Sequence, residues 1–142
     1  FSGTKFMTRQ SPYGFGIRFS VNDDQSVFAT VTFDESKEGG AGILHGGAIS
    51  AVLDEAMGAA AYEAGSAGYT VHMAYQFATH IPLYQEILIR AWVTKIEGKK
   101  VYINCSATLP DEIVAVTGEG LFIASQKLQT MLDQNPYTPE NE

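Results

Sequence analysis

The chain has 142 residues, 45% of them hydrophobic and 18% charged, with a formal net charge of -7. That length predicts one domain, able to bury roughly two-thirds of its unfolded surface, and the composition excludes a disordered chain. Its 9 basic against 16 acidic side chains exclude an extended nucleic-acid surface, which needs clustered Lys and Arg, and no apolar run reaches the roughly 20 residues that span a bilayer.

The longest apolar stretch, from Ile43 to Tyr62, is interrupted by His45, Asp54, Glu55 and several glycines, and so is read as part of a soluble core. A single cysteine, Cys105, excludes an internal disulfide and a cysteine-based metal cluster. No metal is expected, and a reducing, cytoplasmic compartment is. The chain begins at Phe1 and not at Met, which leaves an upstream organelle-targeting segment open. Asn104-Cys105-Ser106 matches a glycosylation sequon but falls in a predicted strand, and it is read as unmodified.

Residues 14–21 and 26–33 are short apolar runs joined by Asn22-Asp23-Asp24-Gln25, which predicts a hairpin. Phe28, Thr30 and Thr32 alternate with Val27, Ala29, Val31 and Phe33, and both sets are partly apolar, so two covered faces are expected there. Residues 34–42 read as a polar, glycine-rich loop. From Gly47 to Ala64 there is no proline and alanine is abundant, which predicts a helix about 27 Å long. It is apolar nearly all round, the mark of a buried helix.

Beyond Gly65-Ser66-Ala67-Gly68, strands are predicted over 69–78, 85–96, 100–109 and 113–124, with turns at Glu97-Gly98-Lys99 and Pro110-Asp111-Glu112. The last three are consecutive and predict an antiparallel meander. Residues 127–142 are expected to form a loose segment after a core at about 13–126. Strands, one buried helix, then four strands make an α+β domain in which a curved antiparallel sheet wraps the helix. Cover for its remaining side implies self-association.

His45-Gly46-Gly47 stands where the loop enters the helix. Unpaired amides at a helix start can stabilise a carbonyl oxygen that gains charge, though glycines there equally serve a tight turn. The run from Gly39 to Gly47 lacks the Gly-Lys-Ser/Thr ending of a phosphate loop. Asp54 and Glu55 lie mid-helix, where a carboxylate is costly unless paired or functional. Asp54 shares its helix face with Gly47, Ser50, Ala51, Gly58 and Ala61, all small, which leaves room for a ligand or a close strand. Pairing with a base such as Arg90 is the alternative. Thr70 opens the next strand, where its hydroxyl can orient a water or simply suit a strand. His72 and His80 are read as structural. Lys99 and Lys100, with Lys95 and Arg90, form the one basic cluster, fit either for phosphates or for a solvated hairpin tip.

The stretch Gly42-Ile43-Leu44-His45-Gly46-Gly47-Ala48-Ile49-Ser50-Ala51-Val52-Leu53-Asp54-Glu55-Ala56-Met57-Gly58 resembles the hotdog acyl-CoA thioesterases of the phenylacetate-pathway and 4-hydroxybenzoyl-CoA types and their mitochondrial and cytosolic relatives. The shared pattern is His-Gly-Gly with an acid nine positions after the histidine, as from His45 to Asp54, and Thr70 matches a Ser or Thr used beside the acid. Gly118-Glu119-Gly120-Leu121-Phe122-Ile123 resembles the family's last strand. The resemblance implies a hotdog fold and an acyl-CoA substrate, with coenzyme A as part of that substrate and no separate cofactor. It makes Gly46 the amide donor to the thioester oxygen and Asp54 the nucleophile or general base. Thr70 then orients water or the acid, and His45 shapes the loop. Gly47, and the lysine turn at Lys99 and Lys100, are the further substrate-binding candidates from the residues themselves.

A homodimer or homotetramer follows from the resemblance, with Asp54 and Thr70 expected from opposite chains. The sequence departs from the family at Gly39, where many relatives carry asparagine. An ordinary carboxylate is ionised at neutral pH and a thiolate leaves readily, so one carboxylate and one oxyanion donor suffice for hydrolysis. Two other functions fit the same fold: a hydratase or dehydratase using His45 with Asp54, and a non-catalytic acyl-CoA sensor.

Overall fold

In the computed structural model, which describes residue 1 and residues 3–134, one six-stranded sheet packs on one long helix. The elements are α1 (Lys5–Thr8), β1 (Ser20–Val21), β2 (Val27–Thr32), a short 3-10 turn (Glu35–Lys37), α2 (Gly46–Glu63), β3 (Gly68–Phe77), β4 (Glu86–Glu97), β5 (Lys100–Thr108), β6 (Val114–Ala124) and α3 (Gln126–Gln134). The strand order is β1-β2-β4-β5-β6-β3, and every neighbouring pair is antiparallel. The expected meander is β4-β5-β6. β3 closes one edge beside β6, so α2 carries the chain from β2 across the sheet to the opposite edge.

α2 begins one residue before the expected start and is capped at both ends. His45 is extended (φ -63°, ψ 133°) and its Nδ1 accepts from Gly47 N. At the other end Gly65 takes a left-handed conformation (φ 77°). Gly65 N then donates to Tyr62 O and Ser66 N to Ala61 O, satisfying carbonyls the helix leaves open. Val52, Leu53, Ala56, Met57 and Ala59 are fully buried against the inward side chains of the sheet, among them Ile87, Ile89, Val101, Ile103 and Phe122.

The hairpin is shorter than expected. Phe15 N and Ile17 N both donate to Met7 O, so the chain before β1 bonds to α1 instead of to β2. β2 has one covered face, with Val27, Ala29 and Val31 buried and Thr30 and Thr32 exposed. Residues 127–134, expected to be loose, belong to α3. Gln129 Oε1 accepts from Ala67 N and Tyr62 Oη donates to Asp133 Oδ1, which dock this helix on the end of α2. Residues 135–142, the rest of the expected loose segment, lie outside the described residues. Among the described residues no helix is long and apolar enough to cross a membrane.

Candidate functional site

β3 has an irregular register that decides which side chains face α2. Facing the helix are the cross-strand pairs Phe77/Val116, Tyr75/Gly118 and Met73/Gly120. Simple alternation would put Thr70 on the opposite face with His72, Ala74 and Gln76. A bulge between Thr70 and His72 adds one residue, which returns Thr70 to the helix side opposite Phe122. There its hydroxyl donates to Asp54 Oδ1 at 2.7 Å. Asp54 is half-buried and Thr70 exposed, so the pair is open to a ligand. Both come from one chain, which corrects the expectation that they come from opposite chains.

Arg90 is not Asp54's partner. It lies on β4 over the Trp92 ring, 5.5 Å from the centroid, on the face turned away from α2. Glu55, 100° further round the helix, faces the N-terminal segment. Its Oε2 is buried and has no hydrogen-bond partner among the described residues. Burial pushes this carboxyl above its ordinary range, against hydrogen bonds from Thr4 that pull it down. Cys105, buried in β5, is pushed up to about 12 by burial and by the nearby Asp54 charge, so it is no nucleophile. Among the described residues no group of three or more His, Cys, Asp or Glu side chains is placed to hold a metal.

The loop before α2 separates the two glycines. Gly47 N is committed to His45 Nδ1 at 2.8 Å and is not free for a ligand. Gly46 N has no acceptor among the described residues, and a Cβ on Gly46 would meet nothing within 4 Å. The structure therefore offers Gly46 as the free donor. A Cβ on Gly39, where the family pattern has asparagine, would stand 2.9 Å from His45 Cα. Here the loop backbone occupies the space a side chain would need.

Gly46 and Asp54 stand eight residues apart on one helix, about 12 Å along its axis. Beside Gly46 lies a largely apolar cavity of about 280 Å³, lined by Leu44, Ile49, Phe77, Ile81 and Val116 together with Thr79 and His80. His72 is exposed on the outer face of β3. Lys99 and Lys100 sit at the β4–β5 turn. Lys100 pairs with Ile123, which pairs with Tyr69, so the turn lies two strands, roughly 10 Å, from the Thr70 end of β3.

Sequence reasoning missed Tyr75, whose half-buried hydroxyl donates to Ser50 O at 3.2 Å, midway between Gly46 and Asp54. The glycine facing it, Gly118, was the available signal.

Residues 41–116, more than half of the chain, match the family described as Thioesterase superfamily. Acyl-coenzyme A thioesterase THEM4 of Bos taurus is 28% identical over 126 residues, covering 86% of this chain and 52% of that protein. The chain thus spans about half the length of that curated relative. A Streptococcus mutans protein solved with acetyl-CoA superposes with a TM-score of 0.72 at 14% identity, over 77% of this chain and 88% of that one. The E. coli PaaI protein, from the phenylacetic acid degradation operon, gives 0.72 at 16% identity, over 78% of this chain and 80% of that one. With its central helix, its antiparallel sheet and a family match over more than half its length, the chain belongs to the thioesterase superfamily and has the hotdog fold.

Proposed function

We propose that this chain hydrolyses the thioester of an acyl-coenzyme A to free acid and coenzyme A, with Asp54 as general base in a site built from two copies. The observation that carries the reading is the Thr70–Asp54 hydrogen bond on a half-open helix face. Thr70 engages Oδ1 and leaves the other carboxylate oxygen to take a proton from water. The resulting hydroxide attacks the thioester carbon, the C–S bond breaks, and the coenzyme A thiolate leaves and takes the proton back from Asp54. Gly46 N, at the positive end of α2, stabilises the carbonyl oxygen as it becomes negative. Coenzyme A is part of the substrate, so this step needs no separate cofactor. Lys99 and Lys100 hold its phosphates against the acidic total charge. A Streptococcus mutans protein of the same fold, solved bound to acetyl-CoA, supports the substrate class.

One carbonyl cannot touch groups about 12 Å apart, so Gly46 and Asp54 of a single chain cannot serve the same thioester. A two-fold axis near Ser50 brings each copy's Gly46 to the Asp54 of the other. β3 is suited to that contact. It is an edge strand carrying exposed Tyr69, Val71, Met73 and Phe77, a surface that pairing with a second copy would cover. Against the hydratase reading, His45 Nδ1 already accepts from Gly47 N and is not available as a base.

Complementation tests the site. Gly46→Pro deletes the amide donor at a helix start that favours proline, after a residue already extended. Gly46→Pro and Asp54→Asn homodimers are each expected to lose at least about a hundredfold in thiol release. Unfolded, mixed and refolded together, they should recover about a quarter of wild-type turnover through the one intact site of each mixed dimer. No recovery would place both groups in one chain's site. Tight acyl-CoA binding by the wild type without thiol release would favour the sensor.

A further inference from the structure

The cavity beside Gly46 is lined along β3 as far as Phe77. Its inner wall includes the Phe77/Val116 pair, and the next pair towards Thr70 is Tyr75/Gly118, about 7 Å along the strand. The Tyr75 ring lies directly over Gly118. A Cβ on Gly118 would stand 2.5 Å from Tyr75 Cδ1, 2.8 Å from Cε1 and 2.7 Å from Cys105 Sγ. Only a residue without a side chain lets the ring seat there. From that seat the hydroxyl reaches across to α2 and donates to Ser50 O at 3.2 Å, with Met73 Sδ at 3.3 Å. Phe77 packs beside it, with ring centroids 6.4 Å apart. The ring is therefore a crossbar from sheet to helix, fixed at both ends, between the cavity and the Asp54–Thr70 pair of the same chain. Burial raises the phenol's pKa further, so the hydroxyl stays a neutral donor at physiological pH.

Resting on the acyl-CoA hydrolase reading, we propose that Tyr75 sets the acyl-length limit: seated on Gly118 and tethered to Ser50 O, its ring closes an apolar cavity that takes medium-chain or aryl-acyl groups. The chemistry of the lining fits. Leu44, Ile49, Phe77, Ile81 and Val116 give the cavity a mostly apolar lining, with Thr79 and His80 its polar members, and Gly46 in the same lining offers the thioester oxygen a donor. The volume fits as well. At about 280 Å³ the cavity is nearly twice the ~150 Å³ that holds one benzene ring, so it admits acyl groups of up to roughly a dozen carbons. Longer chains meet the ring.

The test is kcat/KM over a series from acetyl- through octanoyl- to palmitoyl-CoA, with phenylacetyl-CoA, for wild type, Tyr75→Phe and Tyr75→Val. Wild type should peak at octanoyl- or phenylacetyl-CoA. Tyr75→Val, which suits a strand, should raise the palmitoyl-to-octanoyl ratio at least about tenfold, the scale a few methylenes command in an apolar pocket. Tyr75→Phe keeps the ring and should keep the profile. A folded Tyr75→Val with the wild-type ratio overturns the proposal, and Tyr75→Leu serves the same purpose if the valine variant does not fold. Binding of non-hydrolysable alkyl-CoA thioethers separates the two readings. Length-dependent Kd values that respond to Tyr75 in a protein without turnover would remove the hydrolase reading and keep the crossbar. Turnover with a length profile indifferent to Tyr75 would do the reverse.

Discussion

Asp54 and Glu55 are neighbours in sequence, yet α2 delivers them to opposite chemical settings. Asp54 faces β3, where Thr70 holds one oxygen and the surroundings are open. Glu55 faces the N-terminal segment, where Oε2 is buried with no hydrogen-bond partner among the described residues and the carboxyl is pushed up. The lesson is that an acid in an apolar helix is not functional by virtue of being there. The side of the helix decides whether it stands in the open beside a hydroxyl donor or is carried as a buried acid.

Exchanging each acid for its amide should separate the two sides most strongly. Asp54→Asn is expected to lower kcat for acyl-CoA hydrolysis at least about a hundredfold while leaving the fold intact, the scale of a lost general base. Glu55→Gln should leave kcat essentially unchanged. Comparable losses in both, measured by thiol release, would end the distinction drawn between the faces.

Thr70→Val sharpens the same comparison from the partner's side. It keeps the branched shape and removes the donor to Asp54 Oδ1. A hydrogen bond to a charged group is worth about 1.5–3 kcal/mol, so a loss of about tenfold or more in kcat is expected, smaller than for Asp54 itself. Thr70→Ser, which keeps the hydroxyl, should retain most of the rate. Equal losses in the valine and serine variants would mean that the hydroxyl is not what matters.

Much of this arrangement was legible in the sequence. α2 and β3 to β6 fall within one or two residues of their expected ranges, because long alanine-rich and β-branched runs bounded by Gly and Pro leave few alternatives. The pairing of Thr70 with Asp54 was legible only through the family motif. Alternation along 70–77 puts it on the wrong face, and no residue type announces the bulge that turns it inward. α1 and the shortened hairpin escaped because Met7 O, on a short N-terminal helix with no strong sequence signal, takes the amides of Phe15 and Ile17. α3 escaped because a polar segment gained its anchors, Ala67 N and Tyr62, from elsewhere in the chain. Tyr75 escaped because an aromatic in a strand carries no mark of its own, and its seat comes from Gly118 on the neighbouring strand.

The buried acid makes its own prediction, in stability. The native state binds the Glu55 proton more tightly than the unfolded chain, whose carboxyl titrates near the ordinary 4.5. Stability from this group is therefore complete below that value and falls as pH rises through the raised native one. Relative to wild type, Glu55→Gln should melt higher near about pH 8, with the gap closing towards about pH 4. A pH-independent difference in melting temperature would mean that Glu55 does not titrate between those limits.

The smallest expected effect lies at the start of α2. His45 caps the helix through Nδ1, a task usually given to Ser, Thr, Asp or Asn. If capping is its whole contribution, His45→Asn should keep stability and activity alike. His45→Ala should cost about 1 kcal/mol in denaturant unfolding and leave kcat close to wild type, because in the proposed reaction it is Gly46 N, and not the imidazole, that meets the substrate. The pair of variants discriminates sharply. A stable His45→Asn protein with a large fall in kcat would mean that the exposed side of the ring, Nε2, takes part in the reaction. The hydratase-like pairing of His45 with an acid would then return as the better account of this helix terminus.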